Sequence, residues 1–196
     1  MAYDIKNVFY LDTELEMPTA TGVGVSNTVQ LDLSAYIDPI ARGRTKATGL
    51  AVYRVMYSLS TTAIGSSPID VAETGVCRFG MVAGAGIGDN ATGDVVLTAT
   101  TTPQVSNNLA ISGADYYGAK STIANASTPL ANGANGTIFM EPSKDVPYVV
   151  VRDNVCLVYG QTETFAADMI INARLEVAQI GLDQATLNQL LRTQTV

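Results

Sequence analysis

Hydrophobic and polar positions alternate most strictly between residues 168 and 178. There Met169, Ile171, Ala173, Leu175 and Val177 share one side of an extended chain, and Asn172, Arg174 and Glu176 share the other. A period of two marks a strand with one buried face. The same pattern over 28–34 puts Val29, Leu31 and Leu33 inside, with Gln30, Asp32 and Ser34 outside. Residues 50–59 (LAVYRVMYSL) are apolar on nearly both faces, as in a central strand or one covered on its outer side. Further strands are predicted over 75–83, 94–100, 104–111, 137–141, 147–151 and 155–159. Breakers separate them: Gly84, Gly86, Gly88, Pro103, Gly113, Asn132-Gly133, Asn135-Gly136, Pro142 and Pro147.

No strand–helix alternation runs through the chain, which points away from a parallel sheet. The pattern predicts an all-β fold, an antiparallel two-sheet sandwich or a barrel, with a short C-terminal helix. That helix is expected over 183–192. Asp183 stands at the N-cap, Gly181 ends the preceding strand, and Leu187, Leu190 and Leu191 form an apolar stripe. Residues 36–41 suggest a short helical turn. Residues 113–136 form a long connection of small residues, the kind of loop that carries a functional or inter-subunit surface. The expected organisation is an acidic N-terminal arm (1–25), the sandwich (26–180) and an amphipathic tail (181–196).

Composition narrows the function. At 196 residues the chain is long enough for a core that needs neither disulfide nor metal. It has no histidine and no tryptophan, and only 15% of its residues are charged. The commonest general base at neutral pH is therefore missing, and Ser/His/Asp and Cys/His catalysis are excluded. No enzymatic activity is expected. A net charge of −7 argues against direct nucleic-acid binding, which depends on Lys and Arg neutralising phosphate. Cys77 and Cys156 make no CxxC and read as buried thiols, with a disulfide as the alternative. No signal peptide is expected from the first residues, since no basic start precedes an apolar run.

The glycine run 84–94 resembles a phosphate loop, but no GK[ST] follows, so no cofactor is expected there. Asp89, Asn90 and Asp94 are the weak calcium candidates, without the spacing of an EF-hand. Three glycosylation sequons begin at Asn90, Asn125 and Asn135. Charge is segregated. Asp4, Asp12, Glu14, Glu16, Asp32 and Asp38 are opposed by Lys6 alone over 1–39, and Arg42, Arg44 and Lys46 follow as the only basic concentration. Complementary patches on one chain permit head-to-tail contacts between copies. Asp12, Glu14, Glu16, Arg42, Arg44, Lys46, Leu187, Leu190 and Leu191 are accordingly the subunit-interface candidates.

About nine short strands, ends without a core pattern, small-residue loops and no catalytic set resemble the single jelly-roll major capsid proteins of tailless icosahedral viruses. The resemblance lies in architecture and composition over roughly residues 26–180. It implies a self-assembling homo-oligomeric structural protein of the virion, made in the host cytoplasm, whose partners are its own copies and other capsid proteins. Many such proteins carry a basic N-terminal arm against the genome, and here the arm is acidic. The resemblance then implies that something else screens the genome, a second basic protein or an internal membrane, with the 42–46 loop against its anionic headgroups. Two other classes share the pattern: a phage or cell-surface appendage or decoration subunit, and a carbohydrate-binding sandwich. For the last, Tyr116-Tyr117 is the sole aromatic platform in a chain without tryptophan.

Overall fold

A computed structural model describes residues 5–17, 26–38, 46–61, 75–83, 103–118, 136–161 and 168–194. Among the described residues nine strands and one helix follow in chain order: β1 (Ile5–Met17), β2 (Ser26–Asp32), β3 (Ala47–Thr61), β4 (Gly75–Ala83), β5 (Ala110–Gly118), β6 (Gly136–Met140), β7 (Tyr148–Val150), β8 (Asn154–Gln161), β9 (Met169–Leu182) and α1 (Gln184–Thr193). They form a four-stranded sheet, β1-β9-β3-β7, and a five-stranded sheet, β2-β8-β4-β5-β6. All pairings are antiparallel.

The order itself defines the fold. Leaving β6 aside, the first strand pairs with the last, the second with the next to last, and so inward to β4 with β5. A long hairpin wrapped in this way, with successive strands landing in alternate sheets, is a jelly roll. β6 extends the second sheet by one strand beside β5.

The main core lies between the sheets. Leu50, Val52 and Val55 of β3 and Met169, Ile171, Leu175 and Val177 of β9 meet Phe79 and Met81 of β4 and Leu157 and Tyr159 of β8. The alternation of 168–178 holds residue for residue, with each expected inward side chain buried. Two aromatic contacts help to close the layers: Tyr57 meets the edge of Phe79 at 5.2 Å, and Phe9 packs on Tyr36 at 5.0 Å. Tyr57 also hydrogen-bonds Ser112 across the interior.

A second cluster explains why 50–59 is apolar on both faces. Ala51 and Tyr53 point away from the main core and, with Val149, Val151, Ala178, Ile180 and Leu182, are covered by Leu187, Leu190 and Leu191 of α1. Asp183 caps that helix, accepting a hydrogen bond from the Thr186 amide at 2.7 Å.

Several expectations are corrected. Residues 5–17 of the expected arm are the longest part of a sheet edge, with Leu15 and Met17 buried in the main core. Gly181 does not end β9, which continues to Leu182. Residues 104–109 turn instead of extending, held by Asn107 N–H to Gln104 O and by the Asn107 side chain on the Leu109 amide. Gly113 is no breaker, and 113–118 are not loop but the body of β5. The small residues there are needed by close packing. A Cβ on Gly80 would strike the Ser112 carbonyl, and one on Gly113 would strike the Phe139 ring. The predicted strand 94–100 lies outside the described residues.

Candidate assembly surfaces

The outer face of the four-stranded sheet is divided. One part is sealed by α1. The remainder is built from alternate residues of β1, β9 and β3, which the register sets in rows: Tyr10–Glu176–Arg54, Asp12–Arg174–Met56, Glu14–Asn172–Ser58 and Glu16–Ile170–Ser60. Val8 (54% exposed) and Tyr10 (56%) are open to solvent beside these acids. Asp12, Asn172, Arg174, Met56 and Ser58 line a shallow hollow in this face.

Within it Arg174 donates to Asp12 at 2.6 Å and lies 5.8 Å from the Tyr10 ring. The Asp12 hydrogen bond raises the Arg174 pKa further above its ordinary value. Glu14 and Glu16 face Asn172 and Ile170, neither of them a cation. Glu176 is held by Lys144 at 3.3 Å, and Arg54 by Glu141 at 3.5 Å.

Lys46 sits at the other end of the same sheet. It precedes Ala47, which pairs with Leu182, and its side chain lies against Gly181. Its charge helps to lower the Asp183 pKa, after the larger effect of the Thr186 hydrogen bonds. Glu16 pairs with Ile170. At about 3.3 Å per residue along β9 the two are roughly 40 Å apart. The Debye length at physiological salt is about 8 Å, so they do not neutralise each other within one chain. Arg42 and Arg44 lie outside the described residues.

The other candidates fall elsewhere. Leu187 is 1% exposed and Leu190 and Leu191 are half-buried, all against their own sandwich, so the helix stripe is occupied within the chain. Asp89, Asn90 and Asp94, and the sequons at Asn90, Asn125 and Asn135, lie outside the described residues. Tyr116 is 4% exposed in the main core, which removes it from any sugar platform.

Cys77 and Cys156 are buried thiols that form no disulfide. Cys77 faces the main core, its thiol 3.5 Å from the Met17 sulfur, while Cys156 lies on the outer side of the second sheet with Val82 and Val158. They stand on opposite faces with several residues of strand between them, and a disulfide is out of reach. Burial pushes the Cys77 thiol up to about 12.

One polar cluster escaped the sequence. On the outer face of the second sheet, Arg78 donates two hydrogen bonds to Asp115, at 2.6 and 2.8 Å, and its guanidinium stacks 4.7 Å over Phe139. Phe139 covers Gly113 with its ring, so ring, glycine and ion pair form one stack. The two charges are 37 positions apart in sequence, and only the β4–β5 register, Arg78 opposite Asp115, brings them together.

Strand order makes this chain a jelly roll, and solved structures it is similar to include viral capsid proteins. Trichodysplasia spinulosa-associated polyomavirus VP1, solved in complex with sialylated glycooligomers, matches at 11% identity and a TM-score of 0.44, over 92% of this chain and all of that one. BFDV capsid protein matches in a decameric form, at 10% identity and 0.34 over 89% of this chain and 98% of that one. Its 60-mer form matches at 10% identity and 0.34, over 92% and 95%. No protein-family model and no curated protein matches the sequence. Among the described residues no helix is long and apolar enough to cross a membrane.

Proposed function

We propose that this chain is a non-enzymatic shell subunit, a viral capsid protein whose copies tile an icosahedral virion. The observation that carries this reading is the jelly roll with opposite charges at the two ends of one sheet. Asp12 is paired with Arg174, but Glu14 and Glu16 face no cation across β9 and stand too far from Lys46 to be neutralised by it within the chain. The same patches are complementary between copies placed head to tail. Such heterologous contacts close into rings or lattices when the rotation between copies permits.

Arg42, Arg44 and Lys46 of one copy would then meet the β1 face of the next. An acidic subunit leaves the genome to be neutralised by other components, a basic companion protein or an internal membrane. The helix leucines pack against their own sandwich, so this reading assigns the contact to the charges.

The test is charge reversal. The variant Arg42→Glu/Arg44→Glu should keep its far-UV circular dichroism and lose shells or rings in negative-stain images and size-exclusion profiles. Adding Glu14→Lys/Glu16→Lys should restore them. Normal shells from the first variant would overturn the docking. Fibres or flat sheets from the unaltered protein would point to an appendage or surface-layer subunit, and a persistent monomer retained on a glycan column to a lectin-like sandwich.

A further inference from the structure

Among the described residues the four-stranded sheet has two edges, β1 and β7, and the chain treats them differently. β7 pairs with β3 on one side through Leu50↔Val150 and its neighbours. On its other side stands Gln194, the residue that caps α1, with its own amide bonded to Leu190 O at 3.0 Å. Gln194 is 3% exposed, an unusual burial for a primary amide. Its side chain donates from Nε2 to the Val149 carbonyl at 2.5 Å and accepts at Oε1 from the Val151 amide at 3.4 Å.

This pair of bonds has a specific pattern. In a parallel ladder, a residue opposite Val150 donates to the carbonyl of the residue before it and accepts from the amide of the residue after it. The Gln194 side chain makes both bonds with one amide group. It stands where one peptide unit of a neighbouring strand would stand. An open strand edge is a template for pairing with other chains, and proteins cover, charge or break such edges.

We infer that Gln194 is an edge guard. Its amide substitutes for a strand on β7 and denies that edge to an extended segment of a second copy. Strand addition to this sheet is thereby confined to β1. The guard acts whether or not copies tile a shell, so it stands or falls separately from the charge contact proposed above.

The variant Gln194→Met keeps side-chain length and apolar packing and removes both hydrogen bonds. Amide hydrogen exchange should then quicken at Val151 by tenfold or more while the β3–β9 ladder keeps its protection. Sedimentation velocity should reveal a self-associated species absent from the wild type, growing with concentration. A second change, Val151→Pro, removes the outward-facing N–H that an added strand would use, and should abolish that species. The inference is overturned if Gln194→Met exchanges like the wild type at Val151. It is equally overturned if Val151 is deprotected while the sedimenting species stay those of the wild type, or if the new species survives Val151→Pro.

Discussion

Replacing Leu187 by alanine decides whether α1 belongs to its own sandwich or to a neighbour's. Leu187 is the helix residue buried to 1% exposure, and it enters a surface made by Ala47, Ala51, Tyr53, Val149, Val151, Ala178, Ile180 and Leu182. Most of these sit on hydrogen-bonded strands and several are alanines, so the site has little freedom to collapse around a void. Fully buried Leu→Ala changes cost about 2–5 kcal/mol, rising with the cavity left behind, and this site should cost about 3 kcal/mol. Alanine is at least as good a helix former as leucine, so lost propensity contributes nothing. For a domain of this length each kcal/mol moves Tm by about 2–4 °C, so Tm should fall by about 6–12 °C. Thermal unfolding followed by circular dichroism over a tenfold range of concentration is the assay. The fall should be independent of concentration and present in the monomer. A monomer that melts like the wild type but no longer assembles would show that the helix docks in trans and would refute the reasoning.

Three further outcomes follow from the packing and ionisation. Gly80→Ala should destabilise more than Gly113→Ala, because the first new methyl meets the Ser112 backbone and the second meets the Phe139 ring, which can shift; overpacking of this sort costs about 1–3 kcal/mol, and urea midpoints of the two variants would rank them. Arg78→Met should cost about 2 kcal/mol in the same assay. It takes two hydrogen bonds from a carboxylate only 8% exposed, but Arg78 itself is 40% exposed, so the loss falls below the 3–5 kcal/mol of a fully buried pair. Desolvation holds Cys77, Tyr148 and Tyr159 protonated up to about 12 in the folded protein, whereas free cysteine and tyrosine ionise near 8.5 and 10. Their stabilising contribution is complete below the unfolded values. It is lost as pH rises from there toward 12, at about 1.4 kcal/mol per pH unit for each group titrating only in the unfolded chain. Denaturant midpoints flat between pH 9 and 11.5 would contradict this.

Much of the sandwich was legible because burial on one face imposes a period of two. β9, β2 and β4 could be read from alternation, and α1 from its cap and leucine spacing. β1 shows where that reading fails. Phe9, Leu11, Leu15 and Met17 do alternate with Tyr10, Asp12, Glu14 and Glu16, but Thr13 interrupts the apolar side and the run Val8-Phe9-Tyr10 hides the phase. The acids that suggested a solvated arm are the outward half of a strand. β5 is harder still. Its interior positions are Ser112, Gly113, Ala114 and Asp115, chosen for close approach and for an ion pair, and neither purpose leaves a hydrophobic period. The Gln194 contact could not have been foreseen, since it depends on where a helix end falls against a strand edge.

The charge contact and the edge guard rest on different physics, and salt separates them. Asp12, Glu14, Glu16 and Lys46 are exposed, so any attraction between them across copies is felt through water. The Debye length shrinks from about 8 Å at physiological salt to about 3 Å at 1 M, shorter than the reach of two opposed side chains. The Gln194 bonds are short-range and removed from solvent, and mobile ions do not reach between their partners. In 1 M sodium chloride, shells or rings of the wild type should therefore weaken or dissociate, while the Val151 amide keeps its protection from exchange. If assembly is indifferent to salt, copies are held by apolar contact, for which Val8 and Tyr10 are the exposed candidates on the same face, and the acids of β1 are then there to keep an edge strand from pairing.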